Sequence, residues 1–243
     1  MTDAAIPAEG AAPPRRSRPS AFSRLVRNRL SAAGLALLAA ILLLALLTPV
    51  LPLPDPNATE PANRLLRPGA PGHLLGTDHL GRDLLSRLLW GARVSIAVGV
   101  SATAIAALFG SLIGLVAGFA GGRADNLLMR GIDLVMAFPY ILLALGIVAV
   151  LGPGLLNALY AISIVNIPFF ARNIRGVTLS YARREFVDAA RLSGASPVTI
   201  LFREVAPNVA PTIVITMSTT VGWMILETAG LSFLGLGAQP PQA

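Results

Sequence analysis

The sequence predicts an all-α membrane protein, a polytopic bundle of five transmembrane helices, on three observations. Mean hydropathy is +0.70, with 54% hydrophobic residues and only 13% charged. Five apolar runs are long enough to enter a bilayer, and they are separated by short segments rich in Arg, Asp, Gly and Pro. Composition also excludes several chemistries. The chain has no Cys, which removes disulfides and thiolate metal sites. It has no Lys, so neither the phosphate-gripping lysine of a P-loop nor Schiff-base catalysis is available. Two histidines make a His-based metal cluster an unpromising reading, and no cofactor is expected. The net charge of +7 resides in arginines beside apolar spans, which fits membrane orientation rather than nucleic-acid binding.

Residues 1–29 form an Arg/Pro-rich tail that lacks apolar periodicity and is expected to be disordered. Six arginines and no acid lie between Arg15 and Arg29. The first span follows at 30–53. A signal peptide would have a shorter apolar core and a small-residue cleavage site, whereas this run ends in TPVLPLPDP. An uncleaved span with a cytoplasmic N-terminus is therefore expected.

Residues 54–93 are an external loop containing an amphipathic helix over Gly76–Ser95. Leu80, Leu84 and Leu88 recur at four-residue spacing. Asp78–Arg82 and Asp83–Arg87 are acid-before-base pairs at i,i+4. Five arginines face four acids between Asp55 and Arg93, so the positive-inside asymmetry is weak here.

The remainder, 94–243, contains spans at about 94–118, 134–151, 155–170 and 209–233. Gly110, Gly114 and Gly118 stand four apart, as close helix packing in lipid requires. Arg123, Asp125, Arg130 and Asp133 are read as a charged cytoplasmic turn. Pro139 should bend the third span. Gly152-Pro153-Gly154 is a tight turn. Asn166 is a pathway-lining candidate or a helix–helix hydrogen-bonding residue. Thr216, Thr220 and Trp223 make the last span more polar than the others. Glu227 is its one deep acid, with substrate-path and structural roles both open.

The polar segment between the last two spans, 172–208, contains RREFVDAARLSGASPVTILFREVAPN from Arg183 to Asn208. Asp188 can pair with Arg184 or Arg191 along one helical face. Gly194 ends a first short helix, Ser196-Pro197 starts a second, and Pro207 is expected to stop it. A plain loop is the competing reading.

D-A-A-x-x-x-G followed by E-V-A-P resembles the cytoplasmic coupling loop of ABC-transporter permeases, whose pattern is E-A-A, three residues, Gly, nine residues, then I-x-L-P. Asp188, Ala189, Ala190, Gly194 and Pro207 fall on it. Asp188, Glu204 and Ala206 replace Glu, Ile and Leu. The string G-T-D-x-x-G-R-D-x-x-S-R from Gly76 and the string TAGLSFLGLGAQPP from Thr228 to Pro241 are similar to the second permease of dipeptide, oligopeptide and nickel importers. The resemblance implies a type I ABC importer permease with no enzymatic activity of its own. Its ATPase-coupling surface would comprise Glu185, Asp188, Ala189, Ala190, Arg191, Gly194 and Pro207. Its partners would be a second, different permease, two ABC ATPase subunits and an extracytoplasmic substrate-binding protein, at the cell inner membrane. That family has six spans, so the resemblance also implies that the last transmembrane helix is missing. A proton- or ion-coupled secondary transporter using Glu227, and a non-transporting membrane anchor, remain the alternatives.

Overall fold

A computed structural model describes residues 28–238. The expectations for the N-terminal tail and for the end of the Thr228–Pro241 string therefore fall outside the described residues. Among these there is no strand, and 76% of them are helical. The chain divides into two compact units, Met1–Leu46 and Leu47–Ala243. In the first, helix α1 (Arg29–Leu47) is apolar on all sides, and the Asn28 side chain accepts the Leu30 N–H at 3.0 Å. The expected span 30–53 is shorter in fact. It runs Arg29–Val50, ending in a 3-10 turn over Thr48–Val50, because the prolines at 49, 52 and 54 stop further propagation. Its 22 residues reach ~33 Å, enough to cross a hydrocarbon core.

Residues 54–93, expected as an external loop, depart from the sequence reading. Residues 76–83 are turns, and helix α2 begins at Leu84. Each polar residue of the G-T-D-x-x-G-R-D string serves the loop. Gly76 (φ +79) and Gly81 (φ +80) lie where a side chain would strike the Leu66 and Glu60 backbone. Thr77 is buried, donates to the Asn63 carbonyl and accepts the Leu66 N–H at 2.9 Å. Asp78 accepts the N–H groups of Leu80 at 2.8 Å and Arg82 at 3.0 Å, and pairs with the Arg82 guanidinium at 2.7 Å. Burial pushes the Asp78 carboxyl up, but these donors together hold it down at about 2, against an ordinary 3.8. Its stabilising effect is therefore complete above about pH 4 and is lost as the pH falls towards 2. The expected Asp83–Arg87 pair does not form. Asp83 caps α2, accepting the Ser86 N–H at 2.7 Å, and lies 2.9 Å from His73 Nδ1. Arg87 donates instead to the Pro56 carbonyl at 3.2 Å. A capping carboxylate facing free N–H groups outcompetes a solvated ion pair.

Helix α2 (Leu84–Ala120) has 37 residues, so the expected span 94–118 is only its inner part. At ~55 Å it exceeds the bilayer core. It packs along α5 (Leu155–Tyr181), which likewise outruns the expected 155–170 and carries Pro168 inside it. The glycine stripe is the contact. A Cβ on Gly110 would lie 2.5 Å from Phe170 Cβ, one on Gly114 2.6 Å from the Ala171 carbonyl, and one on Gly118 2.8 Å from the Arg175 carbonyl. Only glycine admits backbones this near.

The expected charged turn is a helix, α3 (Gly122–Met136), and the expected third span is not one helix. Residues 134–136 close α3, and α4 (Tyr140–Leu151) starts after Pro139, bent 84° from α3. Proline disfavours helix at the residue before it, which separates the two. Twelve residues of α4 span only ~18 Å, too short to cross alone. The described residues therefore hold four helices long and apolar enough to cross, or five counting the bent pair. Asp125 on α3 is buried, and Arg175 of α5 grips both its oxygens, Nη2 to Oδ2 at 2.6 Å. Asp133 pairs with Arg172 at the surface. Gly152 (φ +90) and Gly154 (φ +145) make the turn into α5.

Two consequences are measurable by thermal denaturation of the purified protein. Gly114→Val should destabilise by about 1–3 kcal/mol or more through overpacking, whereas Gly131→Ala, on an open face of α3, should change stability by no more than about 1 kcal/mol. Asp125→Ala should cost about 1–3 kcal/mol by leaving the Arg175 guanidinium without its carboxylate.

Candidate functional site: an elbow and a polar groove

The elbow begins with α6 (Glu185–Leu192). Its end is a Schellman motif: Ala195 N–H donates to the Ala190 carbonyl at 3.1 Å, and Gly194 N–H to the Arg191 carbonyl at 3.0 Å. Gly194 takes φ +80, and a Cβ there would meet nothing within 4 Å. Glycine is needed for the turn, and the space around it is open. Ser196 then caps the next helix, accepting the Thr199 N–H at 3.2 Å.

That second helix is not stopped by Pro207. It continues as α7, one rod from Pro197 to Phe233, and the expected span 209–233 is its far part. Residues Ile200–Val205 are wound as π-helix. Proline in an ordinary helix loses a hydrogen bond and clashes with the carbonyl four residues earlier. The wider π turn just before Pro207 relaxes that crowding, and Asn208 Nδ2 donates to the Glu204 carbonyl at 2.6 Å. The polar segment is correspondingly shorter than 172–208, since α5 reaches Tyr181.

The inner side of the elbow is fastened to the bundle. Val187, Ile200, Leu201 and Val205 are buried together with Leu115 of α2, Ile174 of α5 and Val209. Its outer side presents Glu185, Asp188, Ala189, Arg191 and Gly194, all exposed, with Ala190 half-buried behind them. Asp188 pairs with Arg191 at 3.2 Å in the open, while Arg184 stacks on the Tyr181 ring at 4.5 Å instead of reaching Asp188. Sequence reasoning missed two apolar residues on this surface. Leu192 is 90% exposed and Val198 66% exposed, on either side of the Gly194 corner. The available signal was Leu192 in a short helix whose inward positions were already filled by Phe186, Val187 and Ala190.

The second constellation lies where α4, α5 and α7 meet. Three adjoining cavities of about 330, 350 and 260 Å³ share Trp223, and each includes Glu227 or Asn166. Asn166 Nδ2 donates to Glu227 Oε2 at 2.9 Å and to the Ile162 carbonyl at 2.9 Å. Trp223 Nε1 donates to the other Glu227 oxygen. Asn166 is thus a helix–helix hydrogen-bonding residue and a groove residue at once. Thr220 lines the third cavity, while Thr216 is buried and accepts from Asn173 Nδ2 at 3.2 Å. Residues 216, 220, 223 and 227 stand at i, i+4, i+7 and i+11, one face of α7. The aromatic walls Phe138, Tyr140 and Phe169 were missed, because an apolar run does not show which of its aromatics border a gap.

Residues 110–243 match the family described as the binding-protein-dependent transport system inner membrane component, and residues 20–68 match the N-terminal TM domain of oligopeptide transport permease C. A dipeptide transport system permease protein, DppC, of Alkalihalophilus pseudofirmus is 43% identical over 91% of this chain and 72% of the relative. A glutathione transport system permease protein of Pectobacterium atrosepticum is 44% identical over 74% of this chain and 60% of that protein. Among solved structures, the MetNI methionine ABC transporter in an inward-facing conformation superposes with a TM-score of 0.50 at 20% identity, covering 59% of this chain and 74% of that one, a likeness of fold. Family membership decides between the open alternatives in favour of the ABC class over a secondary transporter or an anchor. The chain belongs to the binding-protein-dependent inner membrane component family, as a multi-pass permease subunit of an ABC importer.

Proposed function

We propose that this permease forms one half of a pathway for ATP-driven uptake of peptides or related small solutes, in a heterodimer with a second permease. Relatives named for dipeptide and glutathione transport support that cargo class. Two ATPase subunits dock on the elbow side, taken as cytoplasmic together with the N-terminus, and a substrate-binding protein delivers cargo on the opposite side of the inner membrane. The observation that carries the reading is the two-sided elbow. Its inner face is locked into the bundle core by Val187 and Ile200, and its outer face offers Leu192 and Val198 to water. A pair of exposed apolar side chains flanked by Asp188 and Arg191 on a polar loop suits a protein partner: apolar contacts for affinity, charges for register. Ala189, Ala190 and Gly194 keep the surface low, so another backbone approaches closely.

In this reading no bond is made or broken by the chain's own side chains. ATP binding in the partners favours one membrane conformation, and α6 and the first turns of α7 take up that preference. Force enters at the Gly194 corner and travels along α7, because Pro197–Phe233 is unbroken. The same rod carries Thr220, Trp223 and Glu227, so movement of the elbow shifts the groove.

Leu192→Glu should leave a membrane-inserted, folded protein that retains at most roughly one-tenth of its co-purifying ATPase, since a central interface anchor contributes 2 kcal/mol or more. Gly194→Val should act in the same direction by straining the φ +80 corner, where an added Cβ has no neighbour within 4 Å. Unchanged co-purification and unchanged ATP-dependent uptake in both variants would refute the coupling role.

A further inference from the structure

Glu227 lines two of the three cavities of the α4–α5–α7 groove, and no other charged residue borders any of them. Its two oxygens accept N–H groups from Asn166 and Trp223, both neutral donors. The orientation of the Asn166 amide is fixed by its second bond. Its NH2 group also donates to the Ile162 carbonyl at 2.9 Å, so both hydrogens are spent on acceptors and the oxygen points elsewhere. Two donors aimed at two oxygens hold the carboxylate in place, and no described cation neutralises it. A carboxylate accepts more than two hydrogen bonds, so capacity remains towards the cavity. Trp223 is 53% exposed and Tyr140 44% exposed, and both line the two cavities that Glu227 lines. A held carboxylate beside two open aromatic faces in an otherwise apolar groove suits a primary ammonium group, which gains from ion pairing and from the rings together.

We propose that Glu227, with the rings of Trp223 and Tyr140, is a transit site for the protonated amino terminus of the cargo. The inference rests on the peptide-importer reading above and names the part of the cargo that this chain recognises. The groove volumes, about 330 and 350 Å³, admit a dipeptide-sized solute, and the apolar walls from Ile141, Val165 and Leu226 carry no sequence-reading polar groups. Such a site tolerates varied side chains and reads the feature that unblocked peptides share. The site holds the ammonium group weakly enough for passage, since Glu227 offers one charge and the remaining contacts are aromatic.

The test is uptake of radiolabelled dialanine into proteoliposomes holding the complete transporter, with assembly of the complex scored in parallel. Glu227→Gln keeps the shape and the Asn166 contact but removes the charge. An assembled Glu227→Gln complex should lose roughly tenfold or more of the dialanine uptake rate. Trp223→Phe keeps an aromatic face but removes one of the two donors that hold Glu227, and should lose less of the rate than Glu227→Gln, roughly threefold. Equal uptake by the Glu227→Gln complex would overturn the proposal while leaving the importer reading intact. Failure of Glu227→Gln to assemble would show that Glu227 serves the helix contact with Asn166, and an equal loss in Trp223→Phe would show that the lost hydrogen bond rather than the charge sets the rate; either would also overturn the proposal. Absence of ATP-dependent dialanine uptake by the unmodified transporter would remove the peptide reading itself and this site with it.

Discussion

The proposed coupling depends on α7 remaining helical through Pro207 and Pro211. Two prolines four residues apart would ordinarily kink or end a helix, because each removes a donor and crowds the preceding turn. Here the turn before them is wound as π-helix over Ile200–Val205, and Ile200, Leu201 and Val205 are buried against α2 and α5. Tertiary packing thus holds a backbone that local propensity disfavours. The result is a 37-residue rod, ~55 Å long, with the elbow at one end and the Trp223–Glu227 groove towards the other. A rod of this kind passes on displacement with little loss, whereas a hinge at Pro207 would absorb it.

In the proposed mechanism the rod moves against a frame, and the α2–α5 pair supplies it. Gly110, Gly114 and Gly118 bring the two long helices α2 and α5 into backbone contact, and Arg175 on α5 binds Asp125 on α3 just beyond the last of these glycines. Close packing over about two turns has few alternative arrangements, so this pair acts as a frame. The short α4, set off from α3 by the 84° bend at Pro139, is less constrained and borders the groove on its other side. The groove is therefore walled by one framed helix, one rod and one short segment, an arrangement that can change width without unpacking the core.

Much of this was legible in the sequence, for identifiable reasons. Glycine spacing predicted a close helix–helix contact at α2, since backbone proximity in lipid has few other solutions, but not that α5 is the partner. Gly194 and Ser196-Pro197 predicted the corner, because caps are set by residues within one turn. What was not legible depended on distant partners. Pro207 reads as a stop until the burial of Ile200 and Val205 is known. Asp83 reads as an ion-pair partner of Arg87 until His73, ten residues upstream, and the free N–H of Ser86 are seen to occupy it. The run 134–151 reads as one span because hydropathy does not register an 84° change of direction. The exposure of Leu192 needed the register of α6 on the bundle, which eight residues of pattern do not fix.

The rigidity of α7 is open to direct measurement in the assembled transporter. Spin labels at positions 202 and 226, both exposed, bracket the two prolines and should lie ~36 Å apart along the helix. A single distance that stays the same in nucleotide-free and ATP-bound states is the predicted result. A shift of several ångströms, or a second distance appearing with ATP, would mean that the helix bends at Pro207 and that the elbow does not drive the groove.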